Sequence, residues 1–208
     1  PVSSNGKILF SAGFGDEIAI LNSDGTRFDP LEYIFTSARD RGIFTYGVID
    51  LMVNSEKGPD PSTKEGAQRI RDMVSAAVKQ YSFDGWLIEN PGYAAGKSGS
   101  FSEYMKTMPG GGFDRFLKDS ITAVIADCVK IIKRQSVNLY TGLLADPVWA
   151  HSTSNEMGSQ TQSVYESLTD GFADTRGWIA DGLFDFVMVK IPYSTTNSSA
   201  PFEKVLEW

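Results

Sequence analysis

YSFDGWLIENPGY, residues Tyr81 to Tyr93, is the stretch whose reading decides the fold. The apolar run Trp86, Leu87 and Ile88 has Asp84-Gly85 before it and Asn90-Pro91-Gly92 after it, so it reads as a short buried strand that ends in a turn. Side chains alternate along a strand, which puts Gly85, Leu87 and Glu89 on one face and Trp86 and Ile88 on the other. Glu89 then closes the strand, while Trp86 belongs to the core and Asp84 to a turn or cap. Just upstream, Ile70, Met73, Val74, Ala77 and Val78 recur at three- and four-residue spacing and predict a helix from Thr63 to Tyr81 with one face against a sheet.

The same helix-then-strand unit recurs on both sides. Strands are predicted at Lys7 to Ala12, Ile43 to Asp50, Asp84 to Glu89, Asn138 to Leu144 and Phe184 to Ile191. Helices are predicted at Pro30 to Arg41, Thr63 to Tyr81, Phe113 to Gln135 and Ser163 to Asp181. Asp29 before Pro30 is a plausible cap, and Gly42 a stop, for the first helix. This alternation predicts the α/β class with a parallel sheet, either a (β/α)8 barrel with strands outside these residues or an open doubly wound sheet. The closing FEKVLEW reads as a helix with no strand after it, which favours a partial barrel. Loops 54–62 and 93–112 follow strands and are rich in Gly, Pro, Ser and charge, as the site-building loops of barrels are.

With 208 residues, 41% of them hydrophobic, the chain can bury one core, so residues 1–208 are expected to form a single domain. No apolar run approaches the roughly 20 residues that cross a bilayer, so no membrane-spanning segment is expected. The opening PVSSNGKILF lacks the basic start of a signal peptide, and a removed signal would leave no trace. The 26 acidic and 19 basic residues give a formal charge of −7, which disfavours nucleic acid as a partner. Cys128 and His151 are the single residues of their kinds. They support neither a metal site nor a Cys-His nucleophile, and no cofactor is called for. Chemistry is left to carboxylates, amides and hydroxyls.

Glu89 at a strand end is therefore the candidate general acid/base, with Asp50 and Asp146, which also end strands, as possible partners. Glycosidic cleavage needs a protonated carboxyl for the leaving oxygen, and a second carboxylate or a substrate acetamido group across the sugar. Trp149 and Tyr193 follow strand ends and are candidates for stacking on a pyranose. Lys190 is a candidate for contact with substrate or with Glu89.

Taken together, RFDPLEYIFTSARDRGIFTYGVID, YSFDGWLIEN, GSQTQSVYESLTDGFADTRGWI and DGLFDFVMVKIPY resemble the glycoside-hydrolase-like 10 family of bacterial envelope proteins, over nearly the whole chain. The resemblance implies a TIM barrel of which this chain supplies about strands two to six, incomplete at both ends. It also implies an extracytoplasmic or secreted location and an amino-sugar-containing polysaccharide or oligosaccharide as substrate. Where the family ends its fourth strand with two aspartates and a tyrosine, this chain has Glu89, Asn90 and Pro91. Its third-strand His-Ala-Trp reads Tyr46, Gly47 and Val48, and the glutamine of its sixth strand is Lys190. Asn90 and Tyr46 join the candidate substrate contacts by that correspondence, Trp149 matches the fifth-strand tryptophan, and Trp178 matches a packing residue. The exchange at Asn90 favours, as the alternative, a non-catalytic carbohydrate-binding barrel. DGWLIEN also resembles the fourth strand of family 85 endo-N-acetylglucosaminidases, without their asparagine-glutamate order. Oligomeric state is not legible.

Overall fold

The structure is a computed structural model and describes residues 20, 21, 23–51, 53, 58–97, 99–107 and 110–207. The predicted strand Lys7 to Ala12 lies outside the described residues. A short antiparallel hairpin, β1 (Ile20–Leu21) and β2 (Arg27–Phe28), precedes helix α1 (Pro30–Arg39). Then come β3 (Tyr46–Asp50), α2 (Lys64–Gln80), β4 (Gly85–Glu89), α3 (Phe101–Thr107), α4 (Phe113–Gln135), β5 (Tyr140–Ala145), α5 (Thr175–Ala180), β6 (Phe186–Val189) and α6 (Phe202–Leu206). The strands β3, β4, β5 and β6 form one sheet in chain order, and every pairing is parallel. The protein is mixed α/β.

The helices begin where the sequence supplies caps. Asp29 accepts from the amides of Leu31 and Glu32 ahead of Pro30, and Thr63 accepts from the amide of Gly66. α2 and α4 pack on each other and on one face of the sheet through Ile70, Val74, Leu117, Ile121, Ile125, Cys128 and Ile132, all essentially without solvent contact. Burial pushes the Cys128 thiol up to about 12, so it remains a protonated, inert apolar group.

Two aspartates pin the starts of the strands. Asp84 accepts from the amide (2.7 Å) and hydroxyl (3.1 Å) of Thr45, just before β3. Asp185 does the same for Thr141 in β5, at 2.6 and 2.9 Å, and also pairs with Lys133 at 2.7 Å. The turn role expected for Asp84 is thus a bridge between neighbouring strands, repeated two strands on.

The opposite face is concave. A Cβ on Gly85 would lie 2.7 Å from the Tyr46 ring, and one on Gly142 2.5 Å from the Phe186 ring, so glycines on the central strands make room for rings from the outer ones. Tyr46 and Phe186 meet edge-on with ring centroids 5.4 Å apart. They stand on β3 and β6, three strand spacings of about 4.8 Å apart, so their meeting needs rings that lean inward over a curled sheet.

The helix predicted from Ser163 to Asp181 forms only at Thr175–Ala180. Upstream, the Asp170 carboxylate takes the Glu166 amide at 2.9 Å, and Ser163 and Phe172 hold φ of 56° and 53°. Side-chain acceptors that capture backbone amides compete with helix, and here they win. Helix α3 and the hairpin β1–β2 were not among the predicted elements.

Candidate active site

The register of the sheet decides which residues share its C-terminal rim. Asp50 pairs directly with Glu89 across β3 and β4, and Glu89 with Leu144 across β4 and β5. The Lys190 amide donates to the Ala145 carbonyl at 3.1 Å, which carries the β5–β6 ladder one step further and sets Asp146 beside Lys190. By alternation Asp50, Glu89, Asp146 and Lys190 all fall on the concave face at the ends of four successive strands. Three of these were candidate catalytic residues, and the structure brings them together.

Within this rim the Lys190 ammonium forms an ion pair with Glu89. Asn90 adopts φ of 49°, a left-handed conformation that asparagine tolerates better than most residues, and its Nδ2 donates to Asp50 Oδ1 at 3.0 Å. Asp146 is held above the ordinary carboxylate range. Burial is the largest cause, the Lys190 charge opposes it, and the Glu89 charge reinforces it. The hydroxyls of Tyr165 and Tyr193 are pushed up as well, first by burial and then by the negative charge of Asp146.

The remaining candidates are placed differently. Tyr46 starts β3, at the opposite end from Asp50 and below the rim, and the structure uses its 40% exposed ring in the aromatic cluster over Gly85. Trp149 is only 5% exposed, its Nε1 donates to Asp174 Oδ1 at 2.8 Å, and the Arg176 guanidinium sits 5.5 Å from the ring centroid. This tryptophan is enclosed by its own loop. Tyr193 is half-buried against a small cluster of Val148, Ala200 and Val205. Trp178 is buried, with Nε1 donating to Thr122.

Two features of the site were missed in the sequence reading. Tyr165 donates to the Tyr93 carbonyl at 2.7 Å and so joins the turn after Glu89 to the loop after Asp146. Next to it, the buried Glu166 carboxylate accepts from the His151 amide, from the Ser154 hydroxyl (2.9 Å) and from the Thr169 hydroxyl. Those bonds hold Glu166 below the usual range against its desolvation. The run of Ser, Thr, Glu and Asp from Ser163 to Asp170 is a signal for a side-chain-stapled loop that the helical reading of Ser163 to Asp181 passed over. Among the described residues no three His, Cys, Asp or Glu are gathered closely enough to hold a metal ion. No helix among them is long and apolar enough to cross a membrane.

No family model matches the chain. It is 24% identical over 158 residues, 72% of its length, to the glycosyl hydrolase DigH of Escherichia coli strain K12, and that match covers 35% of DigH. It is 23% identical over 155 residues, 71% of its length, to the glycosyl hydrolase YngK of Bacillus subtilis strain 168, covering 30% of YngK. The chain thus spans about a third of the length of the curated relatives it matches. Among solved structures, the chitinase domain of the spore coat protein CotE from Clostridium difficile aligns with 91% of this chain and 63% of its own, at a TM-score of 0.40 and 10% identity.

Proposed function

We propose that the protein is a glycoside hydrolase acting on an amino-sugar-containing polysaccharide, and that its curled parallel sheet is part of a (β/α) barrel. The observation that carries this reading is the rim itself. Four neighbouring parallel strands end in Asp50, Glu89, Asp146 and Lys190 on one concave face, with one carboxyl half-buried and another ion-paired. The carboxyl ends of parallel strands are where barrel enzymes assemble their sites. The names of DigH and YngK support the same class of reaction, and the resemblance to envelope proteins supports action outside the cytoplasm.

Glycosidic cleavage needs a proton donor for the departing oxygen and an electron-rich group opposite it. Expectation gave the acid role to Glu89. The electrostatics favour a division of labour instead. Asp146 delivers its proton to the glycosidic oxygen as the C1–O bond breaks, and Glu89, ion-paired with Lys190, faces the positive charge that develops at C1. Attack by a water oxygen, with its proton passed back to the deprotonated Asp146, returns the site to its starting state. Asn90 holds Asp50 alongside.

A binding module without turnover is the second reading, and it draws on the engagement of Glu89 by Lys190 and of Asp50 by Asn90. Incubation with chito-oligosaccharides and peptidoglycan fragments, with bound fraction and released reducing ends measured on the same samples, separates the two. Release of shorter sugars supports the hydrolase. Binding with no release, or neither, contradicts it.

A further inference from the structure

Tyr165 occupies a place shaped for its phenol. A Cβ on Gly171 would run into the Tyr165 hydroxyl, and one on Gly92 would lie 3.0 Å from it, so two glycines from different loops form the walls. The hydroxyl donates to the Tyr93 carbonyl at 2.7 Å, while the Tyr93 amide donates to the Gly171 carbonyl at 3.0 Å. Gly92 and Tyr93 belong to the turn that leaves Glu89, and Tyr165 and Gly171 to the loop that leaves Asp146. The adjacent Glu166, with donors from His151, Ser154 and Thr169, anchors the base of that loop and fixes where Tyr165 starts.

We propose that Tyr165 is the positioning residue of this rim: its phenol, locked between Gly92 and Gly171, holds the strand-end turn of Glu89 against the loop of Asp146 and keeps water from the Asp146 carboxyl. This deepens the hydrolase reading and rests on it for its catalytic meaning, whereas the placement of Asp146 stands on its own. The groups that face Asp146 electrostatically are Lys190 and Glu89, and it acts in turn on Tyr165 and Tyr193. Among these Tyr165 is the one that bridges the turn after Glu89 and the loop after Asp146.

The test is a carboxyl-carbon NMR titration of Asp146 in the full chain, compared among the parent, Tyr165→Phe, Tyr165→Ala and Gly171→Ala, with hydrolysis followed across pH. Phenylalanine keeps the ring and loses only the bond to Tyr93, so the Asp146 midpoint should stay near that of the parent. Tyr165→Ala should admit water and move the midpoint down towards the ordinary aspartate range. Gly171→Ala displaces the phenol without removing it and should produce a shift of the same sign, which covers the case in which Tyr165→Ala does not fold. In an active enzyme the alkaline limb of the pH–rate profile should move with the midpoint. An Asp146 midpoint unchanged in folded Tyr165→Ala or Gly171→Ala overturns the proposal. A parent that hydrolyses nothing, with the midpoints shifting as described, overturns the hydrolase reading and leaves the positioning role standing.

Discussion

Asp146 and Trp149 lie three residues apart in the chain, and the structure uses them differently: Asp146 stands on the rim and Trp149 is enclosed. Both follow β5, and both were read as rim residues. Asp146 is half-buried there, and the loop that follows it returns through Tyr165 to the turn after Glu89, a contact set by a glycine pair and a hydroxyl that no local pattern around Asp146 announces. Because its folded-state pKa lies above the ordinary value of 3.8, the folded protein binds more protons than the unfolded chain just above that value. Stability at this group is therefore present at low pH and declines as pH rises through the folded-state pKa. Asp146→Asn should raise the melting temperature at pH 7 relative to the parent and change it little near pH 3, as read by thermal unfolding at the two pH values. Trp149 is held by Asp174, which also caps α5 by accepting from the Gly177 amide, so one carboxylate ties a rim loop to a helix start. Trp149→Ala should cost about 3–5 kcal/mol in urea unfolding, as expected for a large buried aromatic. A change confined to sugar affinity would instead return the residue to the binding surface.

Among the described residues, the elements that carry the sheet were legible because their patterns are local. Helices α2 and α4 declare themselves through three- and four-residue apolar spacing, and β4 through a short apolar run bounded by turn residues. The loop from Ser163 to Asp174 was not legible as a loop. Its apolar residues fit a helical period, while its Ser, Thr and Asp side chains bond the backbone in ways that depend on Glu166 meeting His151. At the strand starts, Asp84 and Asp185 each satisfy a backbone amide and a hydroxyl on the neighbouring strand. Replacing either by Ala leaves those donors without their acceptor and should destabilise by about 1–3 kcal/mol in denaturant titration, with an unchanged dependence on denaturant concentration. Gly142→Ala should also destabilise, because its Cβ would collide with the Phe186 ring. A Gly142→Ala protein as stable as the parent would mean that the rings do not pack over the glycines as described.

On the scale of the whole molecule, the parallel order β3-β4-β5-β6 gathers at one rim residues that lie far apart in the chain. Sequence alone could nominate Asp50, Glu89 and Asp146 one strand end at a time. Only the register makes them neighbours, and the ion pair of Lys190 with Glu89 and the partial burial that raises the Asp146 pKa give the two carboxyls different surroundings. The central claim is that this rim cleaves glycosidic bonds by using both. Its most direct test is the initial rate of reducing-end release from an amino-sugar polymer by the parent, Glu89→Gln and Asp146→Asn proteins, with melting curves and sugar binding as controls. Proton donation by a positioned carboxyl contributes about 10²–10⁴-fold. The account predicts that the parent cleaves and that each variant binds sugar and stays folded yet loses most of its turnover, Asp146→Asn on that scale. Cleavage at the parent rate by both variants would contradict it, as would a folded parent that binds the polymer and never shortens it.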